Sequence, residues 1–136
     1  MYINLNYKWI NTDHVATVKI DHDKNRIYFS MDYAIVKDGI FTQDFIFIEK
    51  NEENLELLYE IMNNINFIQY NKDRYVNRNA ISSFKYDHKN NRIIVNLCSP
   101  HTYNINNETK VLPEFVYIDN IYSVEQFNDF LYQLNS

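Results

Sequence analysis

The chain is poor in the residues that several common sites need. Of 136 residues, one is Gly (Gly39), two are Pro (Pro100, Pro113) and one is Cys (Cys98). P-loops and dinucleotide-binding turns use several glycines so that backbone can approach phosphate closely, and one Gly cannot build either in its usual form. A single Cys cannot close an internal disulfide, so the chain has no need of an oxidising compartment. No apolar run exceeds four residues; Phe45-Ile46-Phe47-Ile48 is an example. A membrane helix needs about 20. The start, Met1-Tyr2-Ile3-Asn4-Leu5-Asn6, lacks a basic segment followed by an apolar one, so no signal peptide is expected and the expected location is the cytoplasm. Only three residues are Ala, whereas Asn, Ile, Tyr and Lys are abundant. AT-rich codons produce that bias, as in a low-GC bacterium or its phage.

What is present is a normal apolar fraction of 46% and a moderate net charge of −5, which suit one folded domain. The charge is uneven. Residues 1–66 carry six basic and eleven acidic side chains, whereas residues 67–136 carry seven of each.

The sequence also repeats itself. Residues 10–31, INTDHVATVKIDHDKNRIYFSM, match residues 76–97, VNRNAISSFKYDHKNNRIIVNL, at an offset of 66. Asn11/Asn77, Lys19/Lys85, Asp21/Asp87, His22/His88, Asn25/Asn91, Arg26/Arg92 and Ile27/Ile93 are identical. Apolar positions correspond too, as in Val18/Phe84 and Phe29/Val95, and upstream Trp9 corresponds to Tyr75. Downstream, Asp44–Glu49 aligns with Glu114–Asp119 at an offset of 70.

Each half reads as strands followed by a helix. Ala16, Val18 and Ile20 alternate with polar residues, as do Ile27, Phe29 and Met31. The polar Asp21–Asn25 segment between them predicts a hairpin turn. Residues 42–49 supply a third strand, and residues 2–10 a further extended stretch. A helix follows Asn51 as N-cap, with Leu55, Leu58, Met62 and Ile65 on its apolar stripe. Ser123-Val124-Glu125-Gln126 has capping-box form ahead of Phe127, Phe130, Leu131 and Leu134. The expectation is an α+β protein: a tandem duplication of a β-β-β(-β)-α unit, residues 1–66 and 67–136, forming one pseudo-two-fold domain. Antiparallel sheets carry one helix per repeat.

No motif announces catalysis. Asp21-His22-Asp23 and Asp87-His88 lie in hairpin turns, where Asp and His are favoured for their backbone tolerance, and no metal site is expected. Cys98 and His101 have C-x-x-H spacing in one repeat only; a buried structural Cys and a loop His explain them. The chain is therefore expected to be neither an enzyme nor a cofactor carrier.

Two surfaces remain. Asp44, Glu49, Glu52, Glu53, Glu56 and Glu60 concentrate acid in and beside the first helix, opposite its apolar stripe. Such a surface suits a protein target with a basic surface. A small, acidic, motif-free chain fits a phage-encoded inhibitor, of anti-CRISPR or similar anti-defence type, that blocks a nucleic-acid-binding surface. The alternative is binding of single-stranded nucleic acid on a sheet rich in Tyr, with Lys72, Arg74, Arg78, Lys85, Lys89 and Arg92 as a basic strip. Tandem β-β-β-β-α units paired into one domain are similar in outline to the Pur-repeat and whirly-type single-strand binders. That resemblance implies nucleic-acid binding on a sheet face. A homodimer through an exposed sheet edge is a further expectation.

Overall fold

A computed structural model describes residues 1–64 and 66–135, with side chains other than those of residues 41, 64 and 100–102. The first half runs β1 (Tyr2–Leu5), β2 (Lys8–Asn11), a single 3-10 turn (Thr12–His14), β3 (Val15–Asp21), β4 (Arg26–Lys37), β5 (Ile40–Glu49) and α1 (Glu52–Asn64). The second runs β6 (Phe67–Asn71), β7 (Arg74–Asn77), a 3-10 turn (Arg78–Ala80), β8 (Ile81–Asp87), a further 3-10 turn (His88–Asn90), β9 (Arg92–Ile105), β10 (Glu108–Ile118) and α2 (Val124–Asn135). The protein is mixed α+β with antiparallel strand pairs and two helices. Each half thus holds five strands, because the leading stretch is a complete hairpin rather than one strand.

Asn and Asp supply the backbone freedom that Gly would ordinarily bring. Asn6 and Tyr7 both have positive φ between β1 and β2, as do Asn106 and Asn107 between β9 and β10. Two consecutive left-handed residues match the twist of a tight hairpin. The one Gly, Gly39 at φ 76°, follows Asp38 at φ 54° in the β4–β5 turn. Asn25 and Asn91, matched by the repeat, are left-handed immediately before β4 and β9. These residues tolerate that region because their short polar side chains bond locally.

The same caps recur. The Asn11 side chain accepts from Asp13 N–H at 3.1 Å, and the Asn77 side chain accepts from Asn79 N–H at 3.0 Å. Asn51 accepts from Asn54 N–H at 2.8 Å and starts α1. Ser123 Oγ accepts from Gln126 N–H at 3.3 Å, and the Gln126 side chain accepts from Tyr122 N–H at 2.6 Å. Leu58 and Ile61 of α1 are fully buried, each contributing about 1.5–3 kcal/mol by burial. Ile61 was not in the expected stripe, and Ile65 lies outside the described residues. Phe130 of α2 is buried and meets Phe84 edge-on at 5.3 Å between ring centroids.

The strands form a five-stranded sheet, β5-β4-β3-β7-β6, a three-stranded sheet, β10-β9-β8, and the β1–β2 hairpin. Pairing crosses the midpoint of the chain at β3 and β7, where Thr17, Val18 and Lys19 face Val76, Tyr75 and Arg74. A two-fold would also pair β2 with β8, but these strands belong to different sheets. The pairing is therefore not two-fold, although the element order recurs. There are two apolar clusters. One places Val18, Ile20, Ile27, Phe29, Ile46 and Ile48 beneath α1 and the β1–β2 hairpin. The other gathers Ile68, Val76, Ile93, Val95 and Leu97 with Phe130 of α2. No helix is long and apolar enough to cross a membrane, among the described residues.

Candidate binding groove

Strand alternation decides what each side of the five-stranded sheet carries. Val18, Ile20, Ile27, Phe29 and Ile46 point into the cluster beneath α1. Thr17, Lys19, Tyr28, Ser30 and Phe45 therefore point the other way. Together with Arg74 of β7 and Glu114–Tyr117 of β10, they line a groove of about 720 Å³ between the two large sheets. Lys24, Asp21, Tyr70, Asn71 and Asp119 complete its lining.

Aromatic rings and cations converge there. Phe45 is 52% exposed, and Phe115 and Tyr117 lie side by side at 5.2 Å between centroids. On the same sheet face but outside the groove's lining, Arg26 sits 4.3 Å above the Phe47 ring, whose centroid is 5.9 Å from that of Tyr28. Lys19 and Arg74 are direct partners across the β3–β7 pair. Thr17 and Ser30 hydroxyls bond each other on the floor. Burial pushes the Tyr70 hydroxyl up, while its hydrogen bond with Arg74 opposes the shift.

The wall on β10 has a buried polar core. Gln43 is buried and donates to Met31 O at 2.9 Å and to Ser99 Oγ at 3.1 Å. Burial raises the Glu114 carboxyl, and the nearby Gln43 amide and Ser99 hydroxyl oppose it. Among the described residues, Gln43 Oε1 and Glu114 Oε2 are buried with no hydrogen-bond partner. Burial thus favours the neutral form of Glu114.

The two expected charge sets fare differently. Glu52, Glu53, Glu56 and Glu60 are exposed on α1, on the far side of the sheet from the groove, whereas Glu49 is exposed at the end of β5 opposite Arg26, on the same sheet face as Phe45. Asp44 does not join them. It is 8% exposed, paired with Lys8 at 3.1 Å, and accepts from Tyr33 at 2.9 Å. That carboxylate and burial push the Tyr33 hydroxyl up to about 12, burial contributing most.

The basic strip is also dispersed. Arg74 lines the groove. Arg92 is committed to Asp87 at 3.2 Å and to the Tyr117 ring at 3.9 Å. Arg78 donates to Gln133 O and Leu134 O at the end of α2, the usual place for a cation at a helix C-terminus. Lys72, Lys85 and Lys89 are exposed at a turn, on β8 and at the turn after β8. Lys19 and Lys24, which the sequence alone did not single out, take their place beside Arg74.

The expected turn residues also find partners. His22 bridges the halves, with Nε2 at 2.9 Å from Asp73 and Nδ1 at 2.9 Å from Lys50. His88 stacks on Tyr86 at 3.9 Å. Backbone N–H bonds from Lys24 hold the Asp21 carboxyl below its ordinary range. The Asn90 side chain, with Arg92, does the same for Asp87. Cys98 is exposed, not buried as expected, because it points outward from β9 between buried Leu97 and Ser99. The side chain of His101 lies outside the described residues.

Neither a protein family nor a curated protein matches the chain. A solved structure is similar in fold: the LytTr DNA-binding domain of a Bacillus cereus protein described as a methyl-accepting/DNA response regulator. The likeness covers 96% of this chain and 94% of that one, with a TM-score of 0.52 and 14% identity. At that identity the likeness is one of fold.

Proposed function

We propose that the chain is a non-enzymatic binding module that takes a single strand of nucleic acid in the groove between its two large sheets. The observation that carries this reading is the convergence of Lys19, Lys24 and Arg74 with Tyr28, Phe45, Phe115 and Tyr117 on one concave face. Bases stack on exposed rings whatever their sequence, and cations beside the rings track phosphates. The net charge of −5 is compatible with this because most of it sits elsewhere. The acids of α1 lie across the thickness of a sheet, roughly 10 Å, about one Debye length at physiological salt. The fold likeness to a DNA-binding domain supports the same class of ligand.

Fluorescence anisotropy with labelled single strands of about 12 nucleotides, DNA and RNA, tests this at low salt. Micromolar binding is expected, with a log–log salt slope of about −2 for three contacted phosphates. Phe45→Ala should cost about 1–3 kcal/mol of affinity, and Lys19→Glu with Arg74→Glu should abolish binding. No anisotropy change at tens of micromolar protein refutes the reading.

The exposed acids of α1 favour a second reading. They form a solvent face that would dock on a basic or nucleic-acid-binding surface of a protein target, as an anti-defence inhibitor would. The recurrent element order and the matched Asn11 and Asn77 caps further support an origin by tandem duplication of one β-β-β-β-β-α unit. The cytoplasm is the compartment that suits either reading.

A further inference from the structure

The internal junction between the halves is a template with one half missing at each end. β7 docks on the edge of β3, and the contact is detailed. Ile20 N–H donates to Asp73 O at 2.9 Å, and the Asn77 side chain donates to Val15 O at 2.9 Å. Tyr75 packs against the apolar cluster of the first half, so its ring crosses the junction. The repeat offset gives the counterparts. β8 matches β3, and β2 matches β7. Yet β8 is an edge strand of its sheet, and β2 pairs with β1 alone.

Exposure follows from the missing partner. Val15 and Ala16 of β3 are 1% and 0% exposed beside β7, whereas their counterparts Ile81 and Ser82 are half-buried and exposed. Tyr75 is half-buried, whereas its counterpart Trp9 is 67% exposed. A further hollow, about 350 Å³, runs along the open edge of β8, between Ile81–Phe84 and Leu134 of α2. It lies where β7 would lie if β8 were β3.

We propose that β2 of one copy docks on β8 of a second copy, head to tail, repeating the β3–β7 junction between molecules. Shifting the internal register by 66 places Ile10, Trp9 and Lys8 opposite Ser83, Phe84 and Lys85 of the neighbour. Asn11, matching Asn77, reaches Ile81 O. Alternation in an antiparallel pair supports the fit. Leu5 and Lys8 close the β1–β2 turn, so Trp9 directs its own N–H and C=O away from β1, toward the open edge. The Trp9 ring then covers the side of Phe84 that faces α2, as Tyr75 covers its cluster within the chain. Lys8 meets Lys85, but the internal junction already holds Lys19 opposite Arg74. Lys8 also carries its own counter-charge in Asp44. An interface that uses two different patches is heterologous, and it closes into a ring or extends into a short array. This inference does not rest on what the groove binds.

Sedimentation velocity of the full chain, without nucleic acid, tests it from about 1 to about 500 μM. Species heavier than the 16.5 kDa chain should grow with concentration. Trp9 is the one tryptophan, so its emission should shift to the blue over the same range. Trp9→Lys should weaken self-association at least about tenfold by placing charge beside Phe84 and Lys85. Ser82→Pro should do the same from the other edge. Ser82 lies at the β8 bulge on an edge strand, where Pro is tolerated. Each variant keeps one intact edge, so an equimolar mixture should form a 1:1 heterodimer and nothing longer, an outcome a misfolded variant cannot give. A wild-type chain that stays monomeric, a Trp9→Lys chain that associates as tightly as wild type, or a mixture that stays monomeric overturns the proposal.

Discussion

Glu114→Gln should make the protein more stable at neutral pH, although it removes a charge from an acidic chain. The reason is local. Glu114 Oε2 and Gln43 Oε1 are both buried acceptors with no partner among the described residues, and the donors that serve the Glu114 carboxyl are shared, since the Gln43 amide also donates to Met31 O and Ser99 Oγ. Two acceptors facing a shortage of donors are corrected by adding one N–H group of the same shape. An unsatisfied buried polar group costs about 1–3 kcal/mol, more when charged. A gain of about 1–2 kcal/mol is therefore expected, or about 3–8 °C in Tm for a chain of this size.

The pH dependence fixes the sign independently. Burial raises the Glu114 pKa above its ordinary 4.5. Between 4.5 and the raised value the folded protein keeps a proton that the unfolded chain has lost, so stability falls as pH rises through that window. Below it the contribution is fully favourable. Protonated Glu114 carries an O–H donor in place of a buried charge, so the wild type at low pH imitates the Gln variant. Asp21 and Asp87 shift the other way and act only below their ordinary 3.8. The assay is Tm by circular dichroism from pH 4.5 to 8, read as variant minus wild type so that other groups cancel. The difference should be near zero at the acid end and grow as pH rises. A Gln variant less stable than wild type at pH 8, or a difference flat with pH, refutes the reasoning.

Asn77→Ala should cost more than Asn11→Ala, although the two residues occupy matched positions. Asn11 caps one 3-10 turn, worth about 1 kcal/mol, whereas Asn77 caps its turn and also satisfies buried Val15 O, adding about 1–3 kcal/mol in urea unfolding; equal losses would contradict this. Reversing Glu52, Glu53, Glu56 and Glu60 together should lower the urea midpoint modestly, since Glu52 and Glu53 sit in the first turn of α1, where each acid contributes about 0.3–1 kcal/mol. In the second reading the same variant loses its protein target in a pull-down from host lysate, and retained capture removes the acidic helix from that mechanism.

The elements were legible in the sequence because they are local. Alternation at Ala16, Val18 and Ile20 and the caps at Asn51 and Ser123 act within a few residues. The pairing of β3 with β7 was not legible, since nothing in Thr17-Val18-Lys19 names Val76-Tyr75-Arg74 as its partner sixty residues away. The groove inherits that difficulty: Tyr28, Arg74 and Tyr117 meet only because two sheets pack. Charge misled for a related reason. Asp44 reads as the start of an acidic run, but it lies on a strand, and one step of alternation buries it beside Lys8 and Tyr33. Arg78 and Arg92 read as a basic strip, but one closes a helix and the other holds a turn. The repeat, in turn, was legible as residues but not as symmetry.

A repeated sequence carries repeated local structure, because caps and turns depend on neighbours. It does not bring matched pairing, because a strand's partner lies far off in the chain: β3 takes β7, whereas β8 keeps an open edge and β2 pairs with β1 alone. Ala16 corresponds to Ser82, so at that position the open edge is more polar than the closed one. Trp9 runs against that trend: it is larger than Tyr75 and more exposed. A polar edge beside an exposed tryptophan is what a reversible contact requires, since Ser82 and Ser83 keep the free edge soluble while the indole supplies apolar area when the edge is occupied. Single-edge variants that associate only with each other would separate that design from an edge that is merely open.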